Sequence, residues 1–263
     1  MNASHDEDDS TDSIKLEGDH RASSPSPLAG EGSISEPSPL AGEGRVRGPE
    51  VTNDTLPAAL ARHNIELPDD QIAQLDSYAK LLWDWNEKIN LTRHTDYEKF
   101  VSRDVVDSLA VADLLETGEK VLDAGTGGGV PGIIIAILRP DVSVSLCDSV
   151  AKKARVVGEI VTSLGLNVPV HHAPAQEIVE EYPFDTVVFR AVARLSKILT
   201  WMQPHWGSFD RLLLIKGPQW IDERGEARHH GLLREMELRR VANYPLAGTE
   251  SESVILQVRQ GDV

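Results

Sequence analysis

The chain has 263 residues, a formal net charge of −16 and one cysteine, Cys147. That length suits one α/β core with an appendage, and the charge excludes a protein that coats nucleic acid through a broad basic surface. One cysteine excludes an internal disulfide and a cysteine zinc cage. With no apolar run long enough for a secretory signal or a membrane span, a cytoplasmic protein is expected.

In chain order, residues 1–53 are rich in Ser, Pro, Gly, Asp and Glu and contain no aromatic side chain. Such a segment buries too little apolar surface to offset its ordering entropy and is expected to be a disordered acidic tail. Its octapeptide PSPLAGEG occurs at Pro25–Gly32 and again at Pro37–Gly44, too few copies for a solenoid. Met1–Glu50 carries −7 of the −16, so a local basic site on the rest of the chain remains possible. Residues 54–117 read as a helical cap: Ile72, Leu75, Tyr78, Leu82 and Trp85 share one face of a helix from about Asp69 to Asn90. Thr95 and Glu98 have capping-box spacing and open a second helix through Val105 and Leu109.

Residues 118–263 alternate strands and helices. Strands are expected at Lys120–Asp123, Val142–Cys147, Val168–His171, Thr186–Phe189 and Arg211–Ile215, with helices at Pro131–Leu138, Ala151–Leu164 and Ser196–Met202. A weaker strand near Arg239–Tyr244 precedes a last one at Ser253–Val258. The βαβα order predicts a Rossmann-like, mostly parallel, doubly wound sheet behind the helical cap.

The first strand runs into DAGTGGGVPG, Asp123–Gly132, in which Gly127, Gly129 and Gly132 satisfy GxGxxG. Ligands of open parallel sheets sit at the C-terminal ends of the strands, so this turn is where a cofactor is expected. No Lys-Ser or Lys-Thr follows, which excludes a phosphate-binding P-loop. Asp123 would repel a pyrophosphate but attract the ammonium of a methionine moiety, so the charge favours S-adenosylmethionine over a dinucleotide. Asp148, ending the second strand, suits two ribose hydroxyls, and it also suits a helix N-cap. Asp123 has a second reading too, as a buried acid bracing the turn.

Five motifs then occur in order: NEKINLT (Asn86–Thr92), RDVVDSL (Arg103–Leu109), DAGTGGGVPG, RAVARL (Arg190–Leu195) and Lys216-Gly217. The set resembles the bacterial 16S ribosomal RNA guanine-N7 methyltransferase family, also called glucose-inhibited division protein B, over roughly residues 56–259. The resemblance implies a Rossmann-like S-adenosylmethionine methyltransferase modifying one guanine of the small-subunit RNA. It also implies that Gly125 and Val130 touch the cofactor, that Ala175 and Gln176 sit beside its adenine, and that Arg190 closes the site. The chain departs from the family pattern at Asp104, where histidine is expected, and at Gln176, where an acid is common. TESESV (Thr249–Val254) stands where the family tends to carry basic residues.

The residues themselves supply no obvious general base, and guanine N7 needs none, because its in-plane lone pair is already an acceptor. Positioning suffices, with Arg190 and Lys216 the candidates. Cys147 reads as a packing residue rather than a nucleophile. Arg93, Arg103, Arg194 and Lys216, with Lys197, fall where they could face one side of the sheet and meet RNA. Trp220 is the best candidate for base stacking. The His171-His172 pair points to opposite faces without a third ligand, so no metal is expected. The partner expected is 16S RNA or the small subunit, met by a monomer. A small-molecule or protein methyltransferase, and a non-catalytic S-adenosylmethionine-binding module, remain as alternatives.

Overall fold

The computed structural model describes residues 54–246 and 248–261; the expectations for residues 1–53 lie outside them. The cap begins with α1 (Leu56–Arg62), N-capped by the Thr55 hydroxyl, and α2 (Asp69–Asn86). Helix α2 ends earlier than the periodicity predicts. Asn86 Oδ1 accepts from the backbone N–H groups of Leu91 and Thr92 at 2.7 and 2.9 Å, folding the chain back on itself.

The next helix also starts differently from expectation. Asp96, not Thr95, caps α3 (Tyr97–Lys99) by accepting from Lys99 N–H at 2.7 Å. Glu98 is drawn away from a capping box because Arg62 and His63 bind its carboxylate at 2.7 and 2.6 Å. The chain then widens into a π-helical stretch, Phe100–Val105, before α4 (Val106–Ala112). Such wide turns displace side chains from ordinary helical register and cluster at functional sites.

The sheet has seven strands: β1 (Lys120–Ala124), β2 (Ser143–Cys147), β3 (Val170–His171), β4 (Thr186–Arg190), β5 (Arg211–Lys216), β6 (Met236–Pro245) and β7 (Glu252–Gln260). Their spatial order is β3-β2-β1-β4-β5-β7-β6, parallel except where β7 runs against β5 and β6. Between them lie α5 (Gly132–Leu138), α6 (Ala151–Ser163), α7 (Ala175–Glu181), α8 (Leu195–Met202) and α9 (Trp220–His229). The periodicity does not anticipate α7 or α9; α9 has little amphipathic pattern, with Ala227 its one buried residue.

Side-chain alternation along the strands divides the core between two faces. Val121, Leu146, Val188 and Leu213 pack against α5, α6 and cap residues including Leu75, Tyr78 and Phe100. Leu122, Ala124, Val187 and Leu214 pack against α7, α8 and Phe209 on the other. Each such fully buried large apolar side chain contributes about 1.5–3 kcal/mol. Asp123 falls, by alternation, on the cap face among apolar neighbours, and that placement matters for the site. The cap shares that core, which fixes it over the C-terminal ends of β1 and β4.

Candidate functional site

The order of strands reverses between β1 and β4, and there a cavity of about 870 Å³ opens at their C-terminal ends. Its floor is the turn after β1, where Gly125, Gly127 and Gly129 have φ of +72°, +62° and +105°. A side chain at Gly125 is excluded twice over: by that backbone conformation and by Val192, whose Cγ2 lies 2.7 Å from where a Cβ would be. Gly132 lets α5 approach β1 and β2, since a Cβ there would collide with Leu146 Cδ2 and lie 2.9 Å from Asp123 Cβ.

Asp123 lies beneath this floor, 1% exposed. Its Oδ2 accepts from the Thr126 hydroxyl at 2.6 Å and Gly132 N–H at 2.9 Å, so it does brace the turn. Burial pushes its pKa up to about 6, against the pull of those hydrogen bonds and of nearby Arg190, which forms no ion pair with it. Asp148 accepts from Gly127 N–H at 3.0 Å through Oδ2 and from Val150 N–H at 2.8 Å through Oδ1. It therefore pins the turn to the start of α6, and its remaining lone pairs are open to hydroxyl donors. No cation lies in the turn itself, residues 124–132. This donor set suits a cofactor with a ribose and a cationic amine, and it is wrong for a pyrophosphate.

Over the floor stands a network that the sequence analysis does not foresee. Arg190, ending β4, donates from Nη2 to Asp104 Oδ1 at 2.6 Å and from Nε to Asp107 Oδ2 at 2.8 Å. His94 Nδ1 donates to the same Asp104 oxygen at 2.8 Å, and the Tyr244 hydroxyl of β6 donates to Asp107 Oδ1 at 2.7 Å. Burial opposes the charge on Arg190, but the two carboxylates outweigh it and hold the guanidinium pKa above its usual value. Ala191 follows with φ +54°, an unusual backbone for a residue with a Cβ, and turns Val192 back over Gly125.

The cavity thus gathers Gly125, Gly127, Val130, Arg190, Arg93, Arg103, Arg194 and Lys216. Of the four cations read as RNA contacts, Lys216 and Arg194 are engaged within the chain. Lys216 is 9% exposed, and its ammonium is held by Glu223 at 2.8 Å and the Ala193 carbonyl at 2.6 Å. Arg194 is paired with Glu226 at 2.6 Å. Arg93 is exposed and makes no ion pair among the described residues, and Lys153, which the sequence reading passes over, also lines the cavity. Ala175 and Gln176 open α7 at the same end of the sheet but do not line this cavity. Ala175 turns into the core beside Ile178.

Trp220 is half-buried, with the Arg224 guanidinium 5.0 Å from its ring centroid, so one face is already covered. Asp104 and Asp107, in RDVVDSL, are the functional residues the sequence reading discounts or misses. The signal was present: two acids on consecutive turns beside a motif arginine. Only the fold says that they face Arg190.

A mostly parallel sheet of this order, with carboxylates under and beside a glycine-rich first turn, defines a Rossmann-like methyltransferase fold. Residues 71–250 match the family model GidB, described as rRNA small subunit methyltransferase G, and the chain belongs to that family. Its relatives include the ribosomal RNA small subunit methyltransferase G of Rhodopirellula baltica, 52% identical over 204 residues, 78% of this chain and 87% of that protein. The protein of the same name from Desulfitobacterium hafniense is 37% identical over 201 residues, covering 74% and 84%. That from Clostridium novyi is 35% identical over 177 residues, covering 65% and 72%.

Proposed function

We propose that this protein transfers the methyl group of S-adenosylmethionine to N7 of one guanine in 16S ribosomal RNA, as a cytoplasmic monomer without a metal. The observation that carries this reading is the cavity at the β1/β4 reversal, whose glycine floor is held from below by Asp123 and Asp148 and whose walls bring in Arg93, Arg103 and Arg190. Family membership supplies the acceptor class.

When bound, S-adenosylmethionine supplies an electrophilic methyl on a sulfonium. In this reading Asp123 faces the cofactor's ammonium with its unused Oδ1. Asp148 takes the ribose hydroxyls, Gly125 and Gly127 give close backbone approach, and Val130 and Val192 exclude water. Ala175 and Gln176 lie toward the adenine, beyond the cavity wall. Arg93 and Arg103 meet the RNA, whereas Arg190 acts as a brace between two carboxylates. Residues 54–117 serve as the cap that aligns the acceptor and residues 118–263 as the catalytic sheet.

No proton has to be removed from guanine N7, so the protein's contribution is alignment and desolvation. The buried Cys147 thiol supports this. Burial pushes its pKa up to about 12, which leaves no thiolate for chemistry at a pyrimidine C5. The test is to incubate the protein with methyl-labelled S-adenosylmethionine and small ribosomal subunits lacking the modification, then digest the RNA to nucleosides. Label in 7-methylguanosine supports the proposal; cofactor binding without label in RNA ends it.

A further inference from the structure

Among the described residues, two buried side-chain polar atoms have no hydrogen-bond partner: Arg103 Nη1 and Asp104 Oδ2. They belong to consecutive residues of the π-helical stretch, and both residues line the cavity at the β1/β4 reversal. Asp104 is 1% exposed. Buried groups of this kind are costly to leave unmet, so a donor and an acceptor on consecutive residues of one cavity wall describe the ligand that completes them.

That ligand must offer an acceptor to the guanidinium and an N–H to the carboxylate. Asp104 does not call for a second cation, because its other oxygen is already paired with Arg190 at 2.6 Å and bonded to His94. Asp123, whose carboxylate binds only the Thr126 hydroxyl and Gly132 N–H among the described residues, is the acid that the proposed function assigns to the cofactor's amine. A neutral edge with an acceptor beside N–H donors is what guanine presents at O6, N1–H and the N2 amine. Adenine inverts the first two positions, placing an amine against Arg103 and a bare nitrogen against Asp104. Enzymes that act on an extruded base read this same Watson–Crick edge. Holding guanine by it leaves N7, on the five-membered ring, free to face the methyl group.

We infer that Arg103 and Asp104 are the specificity pair of this enzyme, Arg103 donating to guanine O6 and Asp104 Oδ2 accepting from N1–H with the N2 amine alongside. The inference rests on the proposed methylation of guanine N7.

The test uses small subunits reconstituted with guanine or 2,6-diaminopurine at the mapped target position. The analogue keeps N7 and the N2 amine but replaces O6 by an amine and N1–H by an acceptor. Wild type favours guanine by about 100-fold in kcat/KM, the discrimination of a well-formed pair of base contacts. Asp104→Asn keeps an oxygen for Arg190 and His94 but turns an N–H toward the base. It therefore slows transfer to guanine, speeds transfer to diaminopurine, and brings the ratio to about 1 or below. Its affinity for S-adenosylmethionine, measured calorimetrically, stays within about twofold of wild type. Arg103→Gln, which can accept as well as donate, narrows the same ratio.

An unchanged ratio with cofactor affinity weakened tenfold or more would overturn the inference, assigning the pair to the cofactor's amino-acid end. An unchanged ratio with unchanged affinity overturns it too, since water then satisfies both atoms. If wild type forms no 7-methylguanosine in unmodified subunits while still binding the cofactor, the functional proposal has failed and the specificity pair falls with it.

Discussion

The two ends of the one sheet solve the same problem in opposite ways. At the N-terminal ends of β1, β4 and β5, Glu119 and Arg211 form a buried pair at 2.8 Å. Arg211 also donates to the Leu114 carbonyl, the Thr186 hydroxyl and Gln257, while Glu119 accepts from Glu116 N–H and Thr186. Burial raises the Glu119 pKa, but those bonds outweigh it and leave the acid below its ordinary value. At the C-terminal ends, Arg190 is equally well held, yet Arg103 and Asp104 each keep one buried atom unmet and Asp123 has no ion-pair partner. The cleft at the satisfied end is of similar size, about 960 Å³ against 870 Å³. Size therefore does not mark the functional end; unmet hydrogen-bonding capacity does.

Removing the arginine from each end breaks the comparison most severely. Arg211→Met and Arg190→Met both strand buried carboxylates and are expected to cost about 3–5 kcal/mol in denaturant titrations. Only Arg190→Met should also lower methyl transfer by about a hundredfold or more at a temperature where both variants are folded. Equal losses of activity would show that the network over the turn has no positioning role.

The next largest effect is the pH response of Asp123. Its folded pKa of about 6 lies above the ordinary 3.8, so the fold favours the neutral acid. The cost of its charge is fully present above about pH 7 and is relieved as pH falls from there toward 4, a range worth about 3 kcal/mol. Unfolding of wild type and Asp123→Asn, compared across that range, should diverge by this amount, with the variant flat. A bound ammonium favours the ionised acid. Cofactor affinity should therefore weaken as pH drops below 6, with proton release detectable by calorimetry in buffers of different ionisation enthalpy.

Smaller changes sharpen the contrast. Gly125→Ala imposes strain at φ +72° and pushes on Val192. It should cost about 1–3 kcal/mol, part of it seen as cofactor affinity in a binding titration. Arg93→Gln should leave stability within about 0.5 kcal/mol while raising KM for the RNA substrate, with the salt dependence of binding shallower by about one ion. Lys216→Gln, at an already neutralised ammonium, should change that salt slope less than Arg93→Gln does.

The signals legible along the chain are local. Short β-rich runs specified the strands, the glycines specified a turn, and an acid at the end of each of the first two strands specified the chemistry of the cofactor. Each of these signals lies within a few residues of what it describes. Tertiary structure alone decided which charges are spent. Arg190 meets Asp104 across 86 residues, Tyr244 meets Asp107 across 137, and Lys216 is neutralised by Glu223. Whether a buried polar group is satisfied depends on every chain segment packed around it. A motif can therefore name Arg103 and Asp104, but only the folded cap shows that each was left with one bond to make.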